Sequence, residues 1–393
     1  MAQHPIGMSW CDLVQESAVV RQWRAAFAAG LITLLPLLLA VDLYIDDLER
    51  AMDGNLNWVR VGRSATAVAP LYTLVSIALL SAVGVACARA HGIRSPFWSA
   101  VSSLPLIAQP YGLQAMSYGL FMALALAAAV VAALLVNLSA RWPMLLTAMA
   151  LELVAFNLYQ PAANGFLVMS GCLCVASLLD LLDRSRPVLS LPRRLIGSAA
   201  VYCGAFGTYR LLIALFAENR LNTYALNSAE FKAIDASLPM AQMRSAMEPL
   251  QQLVWDFGRW PVGFPLLLLV VSYGCLALQW GSLRLVLVAF AGLGAAMLLA
   301  PGGLLLLQES FVRHPPVLLS FGPLGTSLML QLLALSELVK RPQWRLATLS
   351  FVWLLVVVSY AYGHAFEAQD RFEQSRLSRI VGAVSVLQAA RPD

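Results

Sequence analysis

The chain has 393 residues, 60% of them hydrophobic and 12% charged, with a mean hydropathy of +0.73. A soluble fold of this size would need polar surfaces around each domain, and no long polar stretch exists to supply them. The net charge of +5 is dispersed rather than gathered in a basic tract, so nucleic acid is excluded as a partner.

Apolar runs near the ~20 residues that cross a bilayer core place helices at about 25–43, 70–89, 96–110, 117–136, 143–159, 164–182, 195–217, 262–280, 285–304, 317–337 and 346–364. The expected fold is all-α: a polytopic membrane helical bundle of about eleven transmembrane helices, with short helices on its outer face. The runs at 96–110 and 143–159 are short enough to be re-entrant. With the N-terminus inside, the inner segments hold thirteen Arg and Lys against five acids. The outer segments hold twelve against fifteen, which is the bias that orients membrane proteins.

The chain divides into an inner-face interfacial segment (1–24), a transmembrane body (25–364) and an outer-face tail (365–393). Trp10, Leu13, Val14 and Trp23 recur at near-helical spacing, as in a helix lying on the inner leaflet, and no cleavable signal peptide is apparent. Two outer loops stand out, 42–69 and 218–261. In the second, Ser228 suits a helix N-cap, and Met240, Met243, Met247, Leu250 and Val254 make an apolar stripe. The six cysteines sit in or beside spans or in the inner N-terminal segment, which argues against a disulfide framework. Cys172-Leu173-Cys174 lacks further metal ligands in an apolar helix.

The first outer loop concentrates acid. Asp42, Asp46, Asp47, Glu49 and Asp53 fall within twelve residues. An adjacent pair fixed to the end of a spanning helix suits a general base, because the helix sets its direction and neighbouring carboxylates raise one another's pKa. Asp46 or Asp47 is the candidate base, with Glu49 beside them. Capping or solvating the first span is the structural alternative.

Outer cations suited to a phosphate are Arg50, Arg63, Arg210, Arg220 and the Arg313-His314-Pro315-Pro316 turn. Arg210 lies about two turns inside its span, where a cation is tied to a partner or a pathway or snorkels to the surface. Glu152, the other ionisable residue well inside a span, is its candidate partner. Gln109-Pro110-Tyr111-Gly112 and Asn157-Leu158-Tyr159-Gln160-Pro161-Ala162-Ala163-Asn164 form outer turns, and the amides of Gln160 and Asn164 suit sugar hydroxyls or helix ends. Base, cations and apolar helices together are what transfer of a group from a lipid phosphate to a hydroxyl requires. No nucleotide-binding loop and no long inner loop is present, so the donor is expected to be lipid-linked and used outside.

Tyr44-Ile45-Asp46-Asp47-Leu48-Glu49-Arg50, followed by Gly54, Trp58 and Gly62-Arg63, resembles the Gtr type II glucosyltransferases of the multi-span GT-C class. Asn157-Leu158-Tyr159-Gln160-Pro161-Ala162 and Leu318-Leu319-Ser320-Phe321-Gly322 are similar to that family too. The pattern departs from it at Gly62-Arg63-Ser64, where the family reads Gly-Arg-Pro. The resemblance implies an enzyme of the bacterial inner membrane, with its active site and C-terminus on the periplasmic face. It would move glucose from undecaprenyl phosphate to O-antigen or another lipopolysaccharide glycan. It implies Asp46 or Asp47 as catalytic base. Glu49, Arg50, Arg63, Tyr159, Gln160, Arg210, Arg313 and His314 would bind substrate. No cofactor is required, although paired acids leave room for a divalent cation. A donor synthase and a flippase would act upstream. The alternative reading is a transporter or flippase of lipid-linked sugars, which predicts charges strung through several spans.

Overall fold

A computed structural model describes residues 17–39, 69–109, 120–139, 141–178, 191–216, 259–300 and 318–390, with single positions at 113, 248, 251 and 255. Every element among the described residues is helical. In chain order they are α1 (Ser17–Thr33), α2 (Leu35–Leu39), α3 (Ala69–Ala90), α4 (Pro96–Ala108), α5 (Leu120–Leu138) and α6 (Trp142–Leu158). There follow α7 (Gln160–Leu178), α8 (Leu191–Phe216), α9 (Arg259–Trp280), α10 (Leu283–Leu299), α11 (Phe321–Leu338), a 3-10 turn (Pro342–Leu346) and α12 (Ala347–Ala390).

A helix lies at each of the eleven expected spans. Among the described residues, six have the length and apolarity to cross a membrane: α3, α5, α7, α8, α9 and the 3-10 turn with α12. α4, α6 and α10 are apolar but shorter. The 13 residues of α4 reach only about 20 Å at 1.5 Å per residue. About eleven crossings is therefore finer than the helix lengths support.

α4 owes its start to Ser95, whose Oγ accepts the Trp98 N–H at 3.5 Å, and to Pro96 in the first turn. It is buried from Ser99 to Ala108 and packs against α1, α3, α11 and α12. Its small residues admit those neighbours closely, the usual basis of helix association in lipid. A Cβ on Gly84 of α3 would stand 2.3 Å from Ser103 Oγ, and one on Gly322 of α11 would stand 3.0 Å from the Pro105 carbonyl oxygen. The outer helices instead present Trp142, Ile196, Leu215 and Leu278 outward, apolar surface that hydrocarbon covers.

Both ends of the chain are more continuous than the sequence suggests. α1 runs through residue 24, the expected limit of the interfacial segment. Within it Trp23 stacks on Phe27 with centroids 5.4 Å apart and donates from Nε1 to the Ala78 carbonyl at 3.0 Å. Trp23 is thus a packing residue against α3; Trp10, Leu13 and Val14 lie outside the described residues. At the other end α12 passes residue 364 unbroken to Ala390. No proline interrupts it, Gly363 packs against Pro36 of α2, and Glu367 pairs with Arg371 one turn on.

The turn from α3 to α4 is closed by a compact network. Gln22 of α1, fully buried, donates from Nε2 to the Ile93 carbonyl at 3.1 Å and to Ser99 Oγ at 2.9 Å. Its Oε1 accepts from Arg89 Nη1 at 3.1 Å. His91, in the same turn, lies 2.9 Å by Nδ1 from the Cys87 carbonyl, so the neutral ring carries its proton there. Burial pushes its pKa down to about 4, against a smaller upward pull from that carbonyl.

Candidate functional site

Asp46, Asp47, Glu49, Arg50, Arg63, Arg313 and His314 lie outside the described residues, as does Arg220. Tyr159, Gln160, Arg210, Glu152 and Asn164 lie within them, and they can be located from the helices that carry them.

α6 and α7 are joined through Tyr159 alone. Its extended backbone (φ −159°, ψ 98°) ends α6, and its N–H closes onto the Ala155 carbonyl at 2.9 Å. Its own carbonyl accepts the Ala162 N–H at 3.0 Å and so opens α7. Pro161, in the first turn of α7, has no N–H to lose there. Tyr159 and Gln160 are half-buried where the two helices meet.

Below this turn a polar and aromatic layer crosses three helices. Glu152 of α6 is fully buried. Tyr202 of α8 is within electrostatic reach of it and donates from its hydroxyl to Asn164 Oδ1 of α7 at 3.4 Å. Phe156, one turn above Glu152, packs its ring against Tyr202, Phe206 and Tyr209 at centroid distances of 5.4, 5.7 and 5.5 Å. Tyr202, Phe206 and Tyr209 recur at helical spacing on one face of α8 and were not singled out from sequence. That spacing is the signal that would have found them as one aromatic face, although it does not name the helices that face meets.

Neither carboxyl oxygen of Glu152 has a hydrogen-bond partner. The expected Glu152–Arg210 pairing is therefore not formed. The cause is height: Tyr202 is level with Glu152, and Arg210 stands eight residues further along α8, about 12 Å away. Arg210 is half-buried beside Tyr209, whose ring closes on Phe156.

The same level continues through α7 into α11 and α4. A Cβ on Gly165 of α7 would stand 3.4 Å from Pro323 of α11. Gln109, at the C-terminus of α4, donates from Nε2 to the Leu319 carbonyl at 3.0 Å. Gln109 and Leu319, 210 residues apart in the chain, thus meet. Deeper, Tyr273 donates to Gln331 Oε1 at 2.6 Å, and Gln331 Nε2 to the Cys172 carbonyl at 3.4 Å. Among the described residues no three His, Cys, Asp or Glu side chains gather as a metal site.

Fold and layer together define a polytopic helical membrane protein with polar groups collected at one level between its helices. A family model described as glucosyl transferase GtrII matches residues 35–327, about three quarters of the chain. The chain belongs to that family, and it is a membrane glycosyltransferase by that membership. No curated protein and no solved structure matches it.

Proposed function

We propose that this glycosyltransferase moves glucose from polyprenyl phosphate to a surface polysaccharide such as O-antigen, at the periplasmic face of the bacterial inner membrane. The observation that carries this reading is the family match, which begins before the acidic first loop and runs through the Tyr159-Gln160 turn to α11.

In this mechanism one carboxylate of Asp46 and Asp47 takes the proton of the acceptor hydroxyl as its oxygen attacks the anomeric carbon. The bond from that carbon to the phosphate oxygen breaks in the same step, and polyprenyl phosphate leaves as the anion. The other aspartate, with Glu49, orients the acceptor or holds sugar. Arg50, Arg63, Arg210 and the Arg313-His314 turn carry the charge of the departing phosphate. Tyr159 and Gln160 border the sugar, and lipid-facing helices hold the prenyl chain. A divalent cation is compatible with the paired acids and is not required, because arginines suffice to neutralise the leaving group. A donor synthase and a flippase supply the substrate.

The test is glucose transfer from synthetic polyprenyl-phosphate glucose by the purified chain, wild type beside Asp47→Asn and Asp46→Asn. Loss of at least about 100-fold in one variant that remains folded is the expected result. Full transfer by both variants removes Asp46 and Asp47 as the base. Movement of the donor across a proteoliposome bilayer, without transfer, turns the reading to a flippase.

A further inference from the structure

Where the Gln109 turn meets the start of α11, two buried polar atoms are left with nothing to bond. Gln109 is 3% exposed and Ser320 fully buried, yet Gln109 Oε1 and Ser320 Oγ have no partner. Other buried hydroxyls, such as Thr326 Oγ1 on the same helix, are unpaired too, but here two polar atoms from different helices meet at one contact, where a single ligand can satisfy both.

Neither has a structural task to account for it. Ser320 occupies the N-cap position of α11 without capping it. An N-cap hydroxyl serves the second or third N–H of the helix. Here the Gly322 N–H goes to the Leu319 carbonyl at 3.0 Å, and the next residue, Pro323, has no N–H. Gln109 already ties α4 to α11 through its Nε2, and that bond turns Oε1 away from Leu319 as a free acceptor. Its carboxamide packs over Gly322, where an added Cβ would lie 3.7 Å from Cδ.

We infer that Gln109 Oε1 and Ser320 Oγ form a hydroxyl-recognising subsite for the sugar of the donor, beside the start of α11. The inference rests on the glycosyltransferase reading above and extends it to the sugar. An amide oxygen and a hydroxyl accept from and donate to neighbouring hydroxyls of a hexose. A phosphate offers no hydrogen to Gln109 Oε1 and is repelled by it, and a prenyl chain offers no polar group. Ser320 and Gln109 act here as specificity residues, since a site built to bond a hydroxyl discriminates against a ligand lacking it.

The experiment measures binding of polyprenyl-phosphate glucose and of sugar-free polyprenyl phosphate to the full chain in nanodiscs. Wild type is compared with Ser320→Ala and with Ser320→Cys, which keeps the volume. The wild type should prefer the glucosylated lipid. Each variant should lose roughly three- to tenfold of that preference, the worth of one neutral hydrogen bond, while holding sugar-free lipid as before. Melting temperature should not fall, because Ser320 Oγ bonds nothing in the free protein. Gln109→Glu, which keeps an acceptor oxygen, should retain more of the preference than Gln109→Met. Undiminished preference in both Ser320 variants overturns the subsite and leaves the glycosyltransferase reading standing. A wild type that binds neither lipid overturns that reading, and the subsite with it.

Discussion

The α3–α4 turn and the α4–α11 contact are both polar, buried and built on the same short helix, yet they are finished differently. At the turn, Gln22 uses its amide nitrogen twice and its oxygen once, so one glutamine holds α1, α3 and α4 together. At the other end of α4, Gln109 spends only its nitrogen, and beside it Ser320, like Glu152 elsewhere on that level, bonds nothing. A glutamine saturated in this way is what packing alone would select, although His91 Nε2 in the same turn is itself unpaired. An unsaturated one weakens the fold and makes sense where a ligand completes it. The comparison separates polar residues that hold the protein up from those that stand ready.

It breaks most sharply by deleting one member from each side. Gln22→Leu removes the hydrogen bonds to the Ile93 carbonyl, Ser99 Oγ and Arg89, and should cost about 2–3 kcal/mol, read as a clear fall in melting temperature in detergent. Glu152→Met should do the opposite. Removing a carboxyl with no partner from an apolar layer should stabilise by about 1–3 kcal/mol while lowering glucose transfer. A stability loss there would show that Glu152 serves the fold.

His91 sharpens the comparison on the side of the turn. Its folded pKa of about 4 lies below the ordinary value of 6.5, so the unfolded chain binds the extra proton first. Its stabilising contribution is complete above about pH 6.5 and is lost as the pH falls toward 4. Melting curves across that window should slope downward with acid in wild type and less steeply in His91→Gln. The smallest effect belongs to Lys340, which leaves α11 with φ 58°, a left-handed conformation that favours glycine. Lys340→Gly should raise stability by about 1 kcal/mol, seen as a small upward shift in the same melts.

The helices were legible because hydrophobic run length is a local property. Ala69–Ala90, Leu120–Leu138 and Arg259–Trp280 fall within a few residues of where apolar runs put them. Their neighbours were not legible. Nothing near Gln109 announces Leu319, and the alternation of polar and apolar residues along α8 does not say which helix Tyr202 faces. The expected pairing of Glu152 with Arg210 failed for the same reason: two rare charges suggest a bond, and only the relative heights of α6 and α8 exclude it. The unbroken helix past residue 364 was missed because charged residues read as tail. Glu367 and Arg371, a turn apart, instead support one another on a helix.

That last helix is also a ruler. Its 44 residues measure about 66 Å at 1.5 Å per residue, and the span-like portion ends at Gln369. The stretch beyond it reaches about 30 Å further as a rigid rod. A fluorophore placed at successive positions from Arg371 to Ser385 would step away from a membrane-embedded quencher by a fixed increment per residue, so the chain carries its own calibrated distance scale.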